Sequence, residues 1–380
     1  TDNSILIIQN NETTGDGAIK INASNLLEID NQSNIITETT GEGNASPVSI
    51  SAQNLLVQNE GAISSGTYGL GRGGDINIVV SERLEVINSI TLITPGTIYA
   101  FTADAGNSGN ISISTRELSA RLGSSISSST SDNGNGGNIN ISADSIELDG
   151  TIGENGAPTF IGSVTFGEKG ADAGEVNLEV ANLKLINGAA ISSDSSSDGS
   201  SGNVNVNATD SIEVIGTETD RPFLSSITSS VTVEENETIR SLLGLPLNPG
   251  GNAGNVTVNT PTLNIFQGGA ISVRNEGTGN AGEVTITADN LNLDEAASIT
   301  AAASSGIGGN IELNAQDLNI SNDSQITATV GCDGDGGNIT INTTNLTART
   351  SHGAEYDSAP VSSKKNNQIT ASANEGDGGN

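Results

Sequence analysis

Few side chains in this sequence are equipped for chemistry. Its only histidine, His352, lies in the triplet Ser351-His352-Gly353, and its only cysteine is Cys332. Four suitable ligands for zinc are lacking. His352 reads as a polar loop residue, and Cys332 as a small residue in a turn, with a free reactive thiol as the alternative. Acids are plentiful, at 45 Asp and Glu. General acid–base catalysis needs two of them at fixed geometry with shifted pKa values, and acids spread over turns read instead as a solvated face. Turn segments carry Asp132, Asp194, Asp198, Asp333, Asp335, Glu375 and Asp377, hard oxygen ligands of the kind Ca²⁺ takes. The acidic positions do not recur at one register, so no metal site is assigned; Asp333 and Asp335 are the candidates for Ca²⁺, and no other cofactor is expected.

The elements that would position such groups come from a repeat. GDGGNITINTTNL (334–346) has near-copies at GNGGNINISADSI (134–146), GNAGNVTVNTPTL (251–263) and GIGGNIELNAQDL (306–318). The first apolar residue after each Gly-rich turn is an anchor: Ile19, Val48, Ile76, Ile111, Ile139, Val176, Val204, Val256, Val284, Ile311 and Ile339. Most gaps between anchors are 27–29 residues, and three are longer, so the base period is 28. Such self-similarity marks a stacked repeat architecture.

Within a unit the apolar residues alternate, as in Ile139/Ile141 and then Ile146/Leu148, with a third point 15 residues after the anchor at Ile126, Ile191, Ile271, Ile299 and Ile326. A spacing of two puts both side chains on one face of a strand. Three short strands per unit cannot bury their apolar faces alone, but wound into a coil and stacked they can. The expected fold is all-β: a right-handed parallel β-helix of about eleven coils, three strands per coil, in one segment spanning 1–380. Its handedness follows from the general rule for parallel crossovers. At about 4.8 Å per coil the stack is roughly 50 Å long.

Composition agrees. Aromatics are 2% of the chain, with no Trp and no Met, which suits a thin core of Ile, Val and Leu. The middle residues of the first triplet face water and are mostly polar: Lys20, Ser49, Asn77, Ser112, Asn140, Asn177, Asn205, Thr257, Thr285, Glu312 and Thr340. That mixture argues against an ice-binding face, which needs one flat Thr ladder. Asn precedes the anchor at 110, 138, 203, 255, 310 and 338. It either hydrogen-bonds up and down the stack or tolerates the turn's backbone angles. A net charge of −32 repels nucleic acid and anionic lipid, and no apolar run is long enough to span a bilayer. The absence of an initiator Met and a signal peptide reads as a processed product or a piece of a longer protein.

Insertions are expected at about 91–105, 153–172, 217–250 and 349–368. The largest holds IRSLLGLPL (239–247), the most apolar segment, as a short helix or hairpin. Either it packs on the stalk, or it forms a contact loop through Arg221, Phe223, Arg240, Leu242, Leu243 and Leu245.

The unit GNGGNINISADSIELDGTI (134–152) resembles the repeats of large cyanobacterial exoproteins related to filamentous haemagglutinin, over essentially all of 14–380. The resemblance implies a β-helical stalk exported by two-partner secretion. It further implies an outer-membrane transporter as partner, and a place outside the cell or on the outer surface of a Gram-negative-type bacterium. The family's NPNG and NPNL secretion motifs are not visible. The function expected is a non-enzymatic adhesin or structural stalk presenting polar faces and loops to glycans or surfaces. The rival is a β-helical lyase or hydrolase of acidic glycans. Pectate lyases and polygalacturonases resemble this architecture, but the RIK motif of the polygalacturonases is missing here.

Overall fold

A computed structural model of the chain describes residues 5–10, 17–87, 97–150, 158–167, 170–216, 224–331, 334–349 and 367–373. Long and short strands alternate. In chain order they are β1 (Ile5–Asn10), β2 (Ile19–Ile29), β3 (Asn34–Thr39), β4 (Val48–Gln58), β5 (Ala62–Thr67), β6 (Ile76–Ile87), β7 (Ile98–Thr102) and β8 (Ile111–Arg121). Then come β9 (Ser125–Thr130), β10 (Ile139–Asp149), β11 (Phe160–Thr165), β12 (Val176–Ile186), β13 (Ala190–Ser195), β14 (Val204–Ile215), β15 (Ser226–Val231) and a helix, α1 (Glu237–Leu243). The remainder are β16 (Val256–Phe266), β17 (Ala270–Asn275), β18 (Val284–Leu293), β19 (Ser298–Ala303), β20 (Ile311–Ser321), β21 (Gln325–Val330), β22 (Ile339–Arg349) and β23 (Gln368–Ala373). Even-numbered strands form one 11-stranded sheet and odd-numbered strands one 12-stranded sheet, both stacked in sequence order. All pairings are parallel, for instance β8 with β10 and β10 with β12. The chain is a parallel β-helix.

Every anchor opens a long strand and lies over the anchor of the next coil: Ile111 with Ile139, Ile139 with Val176, Val176 with Val204. The expected first and second strands are two arms of one long strand. In β10 the inward residues Ile139, Ile141 and Ala143 are followed by two outward positions, Asp144 and Ser145, before Ile146 and Leu148 turn in again. That pair out of phase is the corner. It tolerates one extra residue, as the register shifts against β6 and β14 show. The third apolar point stacks as a column of isoleucines, Ile126, Ile161, Ile191, Ile227, Ile271, Ile299 and Ile326 among them. Each fully buried side chain of this kind contributes about 1.5–3 kcal/mol.

The interior is not aliphatic throughout. Two residues after the isoleucine column runs a second inward column, with Ser65, then Ala100, then Ser128, Ser163, Ser193 and Ser229 at successive levels, giving way to Val273, Ala301 and Ala328. These hydroxyls are spent on the Gly-rich turn. Ser193 Oγ accepts from the Gly202 N–H at 2.8 Å and donates to the Gly174 carbonyl at 2.9 Å, and Ser128 does the same between Gly137 and Gly109. The turn itself is packed backbone on backbone. A Cβ at Gly137 would run into the Gly109 carbonyl, and one at Gly174 into that of Gly137. This is why Gly recurs ahead of the anchor.

Asn before the anchor acts through its carbonyl oxygen. Asn138 Oδ1 accepts from the Glu175 N–H at 2.8 Å, while the Ile139 N–H donates to the Glu175 carbonyl at 2.8 Å. The same side-chain bond joins Asn110 to the Asn138 N–H and Asn203 to the Asn255 N–H. A parallel row three residues earlier links Asn107, Asn135, Asp172 and Ser200, each accepting from the backbone N–H one coil on.

The spans expected as insertions each contain or adjoin a short strand of the coil. β7, β11 and β15 lie inside 91–105, 153–172 and 217–250, and β23 begins at the end of 349–368. Between the long and short strands the chain turns through two consecutive left-handed residues, as at Asn187 (φ 57°) and Gly188 (φ 89°).

Two outcomes are expected. Ile141→Asp places an unpaired charge in the stack and is expected to destabilise the neighbouring coils by more than about 4 kcal/mol, read as a split or lowered melting transition by circular dichroism. Ala296 occupies the second left-handed turn position at φ 63°. There Ala296→Gly is expected to raise stability by about 1 kcal/mol, read as a higher denaturant midpoint.

Candidate functional site

The largest departure from the repeat flanks β15. After Val231 the chain leaves the stack, and Asn236 caps α1 by accepting from the N–H groups of Thr238 (3.0 Å) and Ile239 (3.3 Å). Gly244, left-handed at φ 64°, ends the helix. The helix buries none of its residues. Leu242 is 81% exposed, and Leu243 and Ile239 are exposed with it, as is Leu247 beyond the helix. Leu245 alone of the named leucines is buried. Arg240 Nη1 donates to the Glu234 carbonyl at 3.1 Å, which holds the loop's own shape. Arg221 and Phe223 lie outside the described residues, as do Asp333, Cys332 and His352.

Beside this loop the outer face of the short-strand sheet forms a trough of about 300 Å³. Its floor is hydroxyl-rich, with Ser226, Thr228, Ser230 and Ser272; Leu224 stands at one edge, and Arg274 with Glu276, paired at 3.2 Å, at another. Asp194 stands one coil away, directly under Ser230 in the strand register. It is not a turn residue, as the sequence suggested, but an outward residue of β13. Burial pushes its carboxyl up from the ordinary 3.8 to about 6, against the hydrogen bonds from Ser192 and Ser230, which favour the ionised form.

The long-strand sheet offers a different surface. Amides are hydrogen-bonded from coil to coil, Asn177 to Asn140 at 3.1 Å and Asn205 to Asn177 at 2.8 Å. Two shallow depressions of about 420 and 450 Å³ lie along it and share Glu179. Glu85, Ser119, Glu147, Lys184 and Glu213 are vertical neighbours, so no two of these Glu meet. Arg121 bonds Glu85 at 2.7 Å.

Asp335 is exposed, and its backbone carbonyl accepts from the Gly308 N–H. Among the described residues no three His, Cys, Asp or Glu side chains converge as a metal site requires. No described helix is long and apolar enough to cross a membrane. Sequence reasoning missed the trough and Asp194's setting. The signal was present in Ser192-Ser193-Asp194-Ser195, where the other short strands mostly place an uncharged residue at the aspartate's level.

The fold defines the class: a repeat β-solenoid with its surface chemistry in stacked rows. Comparison with known proteins adds no relative, for no family model matches the chain and neither a curated protein nor a solved structure is significantly similar to it.

Asp194 sets a pH dependence. Below 3.8 both states are protonated and the residue has no effect. Between 3.8 and about 6 the unfolded chain releases the proton while the native one keeps it, so stability falls as pH rises and levels off above about 6. Asp194→Asn removes this loss. The variant's melting temperature is expected to exceed that of the parent chain above pH 6 and to converge with it toward pH 4.

Proposed function

We propose that this chain is a non-enzymatic segment of a secreted or cell-surface adhesin, a stiff β-helical rod that holds polar faces and the α1 loop against glycans or another surface. The observation that carries this reading is the continuous parallel stack of eleven long strands, with amide and hydroxyl rows along the outside. Coil-to-coil bonding of the outward side chains fixes them before any ligand arrives, which lowers the entropic cost of many weak contacts. The resemblance of the repeat unit to filamentous haemagglutinin-like exoproteins supports export by two-partner secretion through an outer-membrane transporter. Charge narrows the ligand class. At −32 the rod repels acidic polysaccharides, so neutral or amino glycans are favoured.

A second reading, a polysaccharide lyase or hydrolase, draws on Asp194, a carboxyl raised toward neutrality in register with Ser230 of the trough floor. One experiment separates the two. The chain is incubated with neutral and acidic polysaccharides, with and without Ca²⁺, while retention on polysaccharide-coated surfaces and release of reducing or unsaturated ends are both measured. Retention without turnover is expected, and Leu242→Ser combined with Leu247→Ser is expected to weaken retention while the β-sheet spectrum stays unchanged. Turnover that disappears in Asp194→Asn would replace the adhesin reading with the enzymatic one.

A further inference from the structure

The outer face of the short-strand sheet is mostly small and hydroxylic, and around β7 it instead carries three aromatic rings. Tyr99 lies between Ser64 and Ser127 in neighbouring strands, and Phe101 between Gly66 and Ser129. Tyr68, just past β5, meets Phe101 edge to face at 5.0 Å and 68°, and Tyr99 meets it at 5.8 Å and 37°. With three Tyr, five Phe and no Trp in the chain, three of eight aromatic rings form this one group. The core does not need them, since equivalent positions one coil away carry Ser or Gly. The site is shaped for the rings: a Cβ at Gly66 would run into the Phe101 ring, so the bare glycine lets that ring lie on the strand. Mutual cover does not account for the group either, because Tyr68 remains 55% exposed and Leu70 beside it 57%.

We infer that Tyr68, Tyr99 and Phe101 form a stacking site for a pyranose ring of a neutral or amino glycan. This rests on the glycan-binding reading above and gives it a location. Aromatic faces take the apolar C–H face of a sugar, and the phenol hydroxyls bond the sugar's rim. Burial raises both phenols' pKa values; Glu38 adds to it at Tyr68, and at Tyr99 burial outweighs a hydrogen bond with Ser64, so both remain protonated donors. Glu38 lies in register under Gly66, where its carboxylate accepts from sugar hydroxyls or an amino group and repels anionic sugars. An apolar protein partner fits less well, because the acidic Glu38 and the hydroxyl of Ser129 stand in register with the Gly66–Phe101 level beside the rings. The rings are not coplanar, so the site takes one sugar of a soluble chain and not the flat face of a crystalline polymer.

The test uses the full chain carrying Tyr356→Phe, which leaves Tyr68 and Tyr99 as the only tyrosines in a protein without Trp. Cellotetraose and chitosan tetramer are titrated by calorimetry and by tyrosine emission, with polygalacturonate as the anionic control. Binding of a neutral or amino probe with a change in emission is expected, weakened about tenfold or more in Tyr68→Ala and in Phe101→Ser. Phe101→Ser copies the residue one coil away, and Tyr68→Ala alters an exposed side chain, so the second decides if the first fails to fold. Binding with unchanged emission and unchanged affinity in Tyr68→Ala overturns the aromatic site while glycan binding elsewhere on the rod stands. No binding of any probe at millimolar concentration overturns both.

Discussion

One constraint governs this molecule: each coil must lie one strand spacing above an equivalent coil, with the inward residues of each arm over their counterparts. Parallel pairing fixes that distance at about 4.8 Å, too short for a Cβ wherever backbone stacks on backbone outside the pleat. The glycines two residues ahead of the anchors follow from it, since Gly74 faces the Ser46 carbonyl and the later ones each face the carbonyl of the glycine below. So do the isoleucine column, where like shapes stack without voids, and the separation of the glutamates on the outer arm. A mutation is felt at three levels at once: its own, the one below and the one above.

The same constraint explains which side chains the corner requires. A strand supplies its own hydrogen bonds, but at the turn before the anchor two backbone N–H groups in a coil bond to side-chain oxygens of the coil before instead of to carbonyls. The Asn138 side chain supplies the missing acceptor for Glu175, and Asp75 does so for Asn110. Asn is thus a structural substitute for a backbone carbonyl. The buried serines play the matching part inside, bonding the glycine turn from the core. Chemistry that looks like surface decoration in the sequence is largely internal accounting of polar groups.

Much of the fold could be read from the residues because alternation and period are both local signals. All eleven anchors open strands, and their partners are the anchors one period away. The corner was misjudged, because Asp144 and Ser145 look like a break between strands when the backbone runs on through them. The spans 91–105, 153–172 and 217–250 hide the short strands β7, β11 and β15 for a related reason. β15, Ser-Ile-Thr-Ser-Ser-Val, offers one clear apolar inward residue at its start, and its buried serines read as loop. The sites were the least legible. Tyr68 and Phe101 are 33 positions apart and meet only because two coils stack, and the trough assembles residues from β15 and β17 with Leu224 at its rim.

The side-chain oxygens at the corner give the stack a direction. Asn107, Asn110, Asn135 and Asn138 all accept from the coil that follows them in the chain. A finished coil therefore shows its C-terminal neighbour a set of acceptors already in place, as well as a bare row of strand edges. Growth toward the C-terminus proceeds on a prepared mould. A chain released amino-end first would wind up behind its leading end, each turn set by the last, and could not easily slip back along the path it had come.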